Sequence, residues 1–251
     1  MKLISLNTWG GKAGNDRLLS FFKRYPDVDF FCLQEVWNGG DEMVGVKAGG
    51  SPLVGISTTM LTDIDALLKD HSVYFRPHFK DYYGLAMFVR NNLEITEEGD
   101  IFVYKEKGYI HEGDAGNHAR NIQYATYETQ TGVRTVINFH GLWNGKGKED
   151  SEERLLQTDN IIRFLQSLKN PFVVCGDFNL LPETESLKKF EDLGLRNLIK
   201  EFGITSTRTS FYTKPSKFAD YVFVSEGIAV NEFKVLPDEV SDHSPLYLDF
   251  E

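Results

Sequence analysis

The stretch Phe172-Val173-Val174-Cys175-Gly176-Asp177-Phe178-Asn179 decides the fold. Its four opening apolar residues, β-branched at the centre, read as a strand buried on both faces. The run then breaks into Gly176-Asp177-Phe178-Asn179, so an acid and an amide stand where the strand ends. Just upstream, Glu152–Leu168 carries Leu155, Leu156, Ile161, Ile162, Leu165 and Leu168 as one apolar helical face, and Pro171 follows. A helix delivering the chain into a buried strand is a unit of α/β architecture.

The pattern recurs outward to both termini. Further strands are predicted at Leu3–Leu6, Phe30–Leu33, Val73–Pro77, Leu85–Val89, Ile122–Thr129, Thr135–Phe139, Tyr221–Val224, Asn231–Leu236 and Leu246–Phe250. Helices are predicted at Asp16–Arg24, Thr62–Lys69 and Glu183–Phe190, with Asp16 and Thr62 as N-caps. The Gly-rich stretch from Asn38 to Gly55 reads as a long loop near a site, since strands resume on both sides of it. No repeat or Pro/Ser linker divides the 251 residues, so one domain, 1–251, is expected: a mixed α/β sandwich of two sheets with helices outside.

Composition narrows the function. A net charge of -10 is the wrong sign for a protein held on nucleic acid by a broad basic surface. A metal ion and a few local cations can still supply a positive field at one place. Cys32 and Cys175 both sit in apolar runs and read as core filler in a reducing compartment. The N-terminus shows no secretory pattern, and no apolar stretch approaches the roughly 20 residues that span a bilayer. A cytoplasmic protein without stable membrane association or an obligate protein partner is expected.

Polar residues fall repeatedly at strand ends: Asn7 after Leu3–Leu6, Gln34-Glu35 after Phe30–Leu33, His140 after Thr135–Phe139, and Asp177 and Asn179 after Phe172–Cys175. Ser241-Asp242-His243 immediately precedes the last strand. Acids and amides gathered on one rim form a hard-oxygen pocket suited to Mg²⁺ or Mn²⁺, and histidines there suit phosphate contact and proton transfer.

These strings resemble the endonuclease/exonuclease/phosphatase superfamily, in its order and over nearly the whole chain. Leu6-Asn7-Thr8-Trp9 is similar to its first asparagine motif, and Leu33-Gln34-Glu35-Val36 to its metal-binding glutamate motif. Gly176-Asp177-Phe178-Asn179 resembles its catalytic Asp-x-Asn, and Ser241-Asp242-His243 its closing motif. The resemblance implies a four-layered α/β/β/α sandwich, with two mixed, mainly antiparallel sheets flanked by helices.

It also implies roles. Asn7, Glu35 and Asp242 would hold the metal; Asp177 would take the proton from an attacking water, with Asn179 orienting it. His243 would face the phosphate, fixed by Asp220 in Phe218-Ala219-Asp220-Tyr221, and His140 would protonate the leaving oxygen. Arg120 resembles a phosphate-contacting position, and Trp143 and Tyr212 are candidate substrate-stacking aromatics. The bland readings stay for the rest: His71 and His78 as exposed flanks of a strand, His111 and His118 as members of a polar loop from Gly108 to Asn121, with a substrate lip as the alternative for that loop. Lys146, Lys148, Arg208, Lys214 and Lys217 read as solvated loop cations, in reserve for ionic contacts with substrate.

The expected function is divalent-metal-dependent hydrolysis of a phosphodiester, of nucleic acid or a nucleotide-like ester. A small-molecule or lipid-headgroup phosphoesterase is the runner-up, and an inactive binding or scaffold protein on the same fold is the rival of another class.

Overall fold

A computed structural model of the chain describes residues 1–48, 51–111 and 114–251. In chain order the elements are β1 (Lys2–Asn7), α1 (Asn15–Arg24), β2 (Phe30–Trp37), β3 (Lys47–Ala48), β4 (Ser51–Pro52), α2 (Met60–Leu67), β5 (His71–Phe79), β6 (Tyr83–Arg90) and β7 (Ile95–Tyr104). They continue with β8 (Ile110–His111), β9 (Asp114–His118), β10 (Arg120–Thr129), β11 (Gly132–His140), α3 (Glu152–Ser167), β12 (Phe172–Asp177) and α4 (Glu185–Asp192). The last are β13 (Arg196–Asn197), α5 (Leu198–Glu201), β14 (Asp220–Val224), β15 (Val230–Val235) and β16 (Leu246–Phe250).

Strand periodicity builds the layers. In β1, β2 and β6, Leu3, Phe30, Cys32, Met87 and Val89 face the core shared with the second sheet. Their alternates Ile4, Leu6, Phe31, Leu33, Ala86 and Phe88 face outward onto Leu18, Phe21 and Phe22 of α1 and Met60 and Ile64 of α2. On the far side, Ile161 and Leu165 of α3 and Leu187 and Phe190 of α4 cover the second sheet. The result is the expected α/β/β/α sandwich, with sheets ordered β15-β16-β1-β2-β6-β5 and β13-β14-β12-β11-β10-β7.

Each sheet is antiparallel except for one central parallel pair, β1–β2 in the first and β11–β12 in the second. Parallel neighbours end at the same edge, so Asn7, Glu35, His140 and Asp177 emerge on one rim. A buried amide bridge ties the sheets beneath it: Gln34 Nε2 donates to Asn138 Oδ1 at 2.7 Å, and Asn138 Nδ2 donates to the carbonyl of Leu33 at 3.0 Å.

Several expectations need correction. β7 was not anticipated; it is an edge strand carrying Glu97, Glu98 and Asp100, and Arg76 of β5 pairs with the last two across the sandwich. Gly14 and Thr59, not Asp16 and Thr62, hold the N-cap positions, and neither makes a side-chain cap. Asp63 instead accepts from Thr59 Oγ1 at 2.8 Å and Asn15 Nδ2 at 2.9 Å, tying α1 to α2. The buried face of α3 runs through Arg154, Gln157, Thr158, Ile161 and Leu165, and Leu156 is exposed. The Gly108–Asn121 loop contains the β8–β9 hairpin, and the Asn38–Gly55 loop contains β3 and β4. Residues 49–50 and 112–113 of those two loops lie outside the described residues. No helix among the described residues is long and apolar enough to cross a membrane.

Candidate active site

Strand register sets the centre of the site. His140 of β11 pairs with Asp177 of β12, and Asp177 pairs in turn with Asp220 of β14, so three polar side chains line up across adjacent strands. The close approach of these backbones demands glycine: a Cβ on Gly176 would lie 1.9 Å from the Phe139 carbonyl oxygen, and one on Gly141 2.1 Å from that of Phe178.

The facing sheet contributes Asn7 and Glu35. The β2–β6 register shifts between Leu33 and Val36, and Glu35 sits in that bulge at φ 57. A non-glycine residue held in the left-handed region is strained, and bulges re-aim side chains beside sites. Asn179 has the same conformation, at φ 54. Its backbone N–H donates to Asp177 Oδ1 at 2.8 Å, closing the turn that leaves Asp177 Oδ2 for the cleft.

Asn7 Nδ2 bridges the sheets, donating to Glu35 Oε1 at 3.1 Å and to Asp177 Oδ2 at 2.9 Å. His140 Nε2 lies 3.9 Å from that Glu35 oxygen and 3.8 Å from that Asp177 oxygen. His243 Nε2 stands 3.5 Å from Asp177 Oδ2, while its Nδ1 sits 2.8 and 2.9 Å from the two oxygens of Asp220. Thr207 Oγ1 donates to Asp220 Oδ2 at 2.9 Å and completes that support. Asp242 accepts from Arg208 Nη1 at 3.2 Å through Oδ2, and its Oδ1 is buried without a hydrogen-bond partner.

The ionisation pattern is divided. Burial and the Arg120 guanidinium push the His140 pKa down to about 3, so this imidazole is neutral. Burial also opposes charge on His243, as does Arg208, but Asp220, Asp177 and Asp242 outweigh them and raise its pKa. Burial alone would raise the Asp177 pKa; His243, Lys148 and Arg208 overcome it and keep the carboxyl ionised. Glu35 shifts upward, first from burial and further from Asp242 and Asp177, although its side chain is 26% exposed.

The donor set suits a hard divalent cation. Glu35 and Asp177 converge on the Asn7 amide nitrogen, the orphaned Asp242 Oδ1 adds a buried acceptor, and both cysteines belong to the inter-sheet core. Asn7 turns its NH₂ to the carboxylates, and its Oδ1 accepts from the Trp9 N–H at 2.9 Å. Asp177, Asp220 and His243 also bring one ligand atom each within 4.8 Å. Within this trio Asp220 also accepts from Thr207 and faces His243 Nδ1, so it supports the imidazole as well.

The cleft over this centre holds about 230 Å³ of water-accessible space. Trp143 and Tyr212, the candidate aromatics, both line it, as do Arg120 and Asn179. Residues from the Asn38–Gly55 loop and just beyond, Met43, Leu53 and Ile56, wall one side of it with Trp37, Phe79 and Tyr83. Apart from Leu53 and Ile56, which pack against it, these form a third apolar cluster separate from both cores.

His71 and His78 are buried, not exposed. His71 is buried against the Val28 carbonyl at 2.8 Å. His78 is fully buried, its Nδ1 2.8 Å from Asn121 Oδ1 and its Nε2 3.2 Å from Arg120 Nη1. His118 is also buried, 2.5 Å from the same Nη1. Two imidazoles thus seat the Arg120 guanidinium at the cleft floor. Alternating polar residues on β5 gave no signal that distinguished His78 from an exposed side chain. Lys148 and Arg208 are misread too: they are not solvated, with Lys148 7% exposed and the Arg208 side chain 6% exposed.

Comparison with known proteins agrees with this arrangement. No match was found among the curated proteins. Among solved structures, a Bacteroides thetaiotaomicron mannosyl-6-phosphatase is 18% identical, with all of this chain and 99% of that one covered at a TM-score of 0.74. A second Bacteroides thetaiotaomicron protein, described as of the endonuclease/exonuclease/phosphatase family, is 18% identical over 100% and 97% of the two chains, with a TM-score of 0.75. The human Nocturnin catalytic domain is 20% identical over 100% and 93%, with a TM-score of 0.67. The model of the Endonuclease/Exonuclease/phosphatase family matches residues 4–243, which run from β1 to the histidine that Asp220 holds: the chain belongs to this family of phosphoesterase hydrolases.

Proposed function

We propose that the protein is a cytoplasmic, Mg²⁺- or Mn²⁺-dependent phosphoesterase that hydrolyses a compact phosphate ester, or the accessible end of a flexible nucleotide chain, inside the walled cleft. The observation that carries this reading is the convergence of Asp177 Oδ2 with His243 Nε2, Asn7 and His140 at the mouth of a cleft floored by Arg120. A divalent cation bound by Glu35, Asp177 and Asp242 would supply Lewis-acid neutralisation of the phosphate charge.

The chain's own residues do the rest. Asp177, kept ionised by its cationic neighbours, accepts the proton of the attacking water, and Asn179 fixes the turn that aims it. His243, locked by Asp220 and favoured in its imidazolium form, stabilises the negative charge that builds on the phosphoryl oxygens. Arg120 holds those oxygens from the other side. His140, neutral in the free protein, offers an N–H to the phosphate or the departing oxygen.

The walls favour a small or single-stranded substrate over duplex DNA. A net charge of -10 supplies no basic track, and the aromatic side of the cleft fits one ring or sugar at a time. The test is a comparison of turnover on aryl monoesters, aryl diesters and matched single-stranded and duplex oligonucleotides with Mg²⁺. Turnover of small or single-stranded esters is expected to exceed that of duplex, and a strong duplex preference would contradict the reading.

A further inference from the structure

The cleft reverses the sign of the molecule. Among the described residues, Lys12, Arg120, Lys148, Arg208 and Lys214 line it against Glu35, Asp177 and Asp242, within a protein of net charge -10. Two of these cations are buried together at the β14 end, opposite the Arg120 end of the rim. Among the described residues, Lys148 Nζ donates to the Phe218 carbonyl alone, at 3.1 Å. Arg208 spends Nη1 on Asp242, and its Nε is buried without a hydrogen-bond partner. Tyr212 lies beneath both: the Arg208 guanidinium carbon is 3.9 Å and Lys148 Nζ 5.6 Å from its ring centre. Lys214 stands 5.6 Å from the ring of Trp143 beside them.

Burying a lysine without a carboxylate in hydrogen-bond contact costs several kcal/mol in the absence of compensation. The fold nonetheless goes to some length to keep it there. Arg154, itself buried, donates to the carbonyls of Leu142 at 3.3 Å and Gly147 at 2.7 Å and to that of Glu149. Gln157 Oε1 accepts from the Leu142 N–H at 3.1 Å. The 142–149 loop is therefore pinned by α3 in the conformation that turns Lys148 inward. The segment carrying Arg208 is fixed likewise, by a bridge between Arg208 and His243 and by the Ser244 N–H donating to the Thr207 carbonyl at 3.0 Å.

We infer that Lys148, Arg208 and Tyr212 form a second anion subsite, and that the substrate is a phosphate ester bearing another phosphate or carboxylate close to the scissile one. This rests on the proposed phosphoesterase reading for the position of the scissile group. It adds that a part of the substrate beyond the scissile phosphate is itself anionic and is gripped at the β14 end. Charge-assisted contacts from two desolvated cations are strong and short-ranged, so the spacing between the two anions is selected.

The experiment is calorimetric titration of the whole chain, in EDTA, with methylenebisphosphonate and with methylphosphonate. Neither probe is hydrolysed, so the result is independent of whether the protein is an active phosphoesterase. The wild type is expected to bind the bisphosphonate at least about tenfold more tightly, and Lys148→Met to bring the two affinities within about twofold. Lys148→Arg, which keeps the charge, is expected to retain the preference. Equal affinities in the wild type would overturn the inference whether or not Lys148→Met folds, and so would an undiminished preference in a folded Lys148→Met variant.

Discussion

His243 and Asp220 face each other with Nδ1 2.8 and 2.9 Å from the two carboxylate oxygens, both side chains almost wholly buried. This contact fixes the ring so that Nε2 points to Asp177, and it contributes to the raised pKa of the imidazole. Asp220→Asn is expected to lower kcat by about a hundredfold or more, with the fold retained through Thr207. A raised pKa means the imidazolium persists to higher pH than in a free histidine. Activity should therefore fall as pH rises through that value, and Asp220→Asn should move the alkaline limb of the profile to lower pH. An unmoved limb would show that the limb does not report His243.

The line between what the sequence revealed and what it hid follows burial. β1, β2, β12, β14 and β16 are covered on both faces, so each reads as an apolar run whose polar terminus stands out. β7 lies at an edge with acids answered by Arg76 from the other sheet, and a charged run paired in space looks like a charged loop in sequence. His78 and Lys148 were hidden for a related reason. Each is a polar residue in a polar stretch, and only the fold turns it inward, onto Arg120 in one case and onto Tyr212 in the other. Cross-strand register, which aligns His140, Asp177 and Asp220, has no trace in the linear order.

His140 tests how the leaving group departs. Its pKa of about 3 makes the free protein's imidazole a neutral hydrogen-bond donor. His140→Gln, which preserves an N–H, is expected to cost about tenfold in kcat, uniformly across aryl esters of differing leaving-group basicity. A loss that grows steeply with leaving-group basicity would assign the histidine to proton donation.

Buried neutral histidines also set an acid limit on stability. Burial and Arg120 drive the His78 pKa well below 6.5, so the unfolded chain binds a proton there that the native one refuses. Stability contributed by this site is complete above the unfolded value and declines as pH falls below it. Urea denaturation between about pH 5 and pH 7 should show stability rising with pH, and His78→Gln should flatten the slope. An unchanged slope would remove His78 from the acid-sensitive set.

Glu35 trades stability for function. Its left-handed backbone and its crowding by Asp242 and Asp177 work against folding when no cation is bound. In EDTA, Glu35→Gln is expected to raise Tm by about 2–4 °C, equivalent to roughly 1 kcal/mol, while lowering Mg²⁺-supported turnover by about a hundredfold or more. A lower Tm in EDTA would mean that the carboxylate stabilises the metal-free fold.

The central claim, metal-dependent hydrolysis with Asp177 as the base, is tested most directly by one assay. Turnover of an aryl phosphate ester is measured for the wild type and Asp177→Asn, each with Mg²⁺ and with EDTA, alongside thermal unfolding. The account predicts that wild-type turnover vanishes in EDTA and returns with excess Mg²⁺, and that folded Asp177→Asn loses about a thousandfold or more in kcat. Undiminished turnover in EDTA, or an Asp177→Asn variant as fast as the wild type, would contradict it.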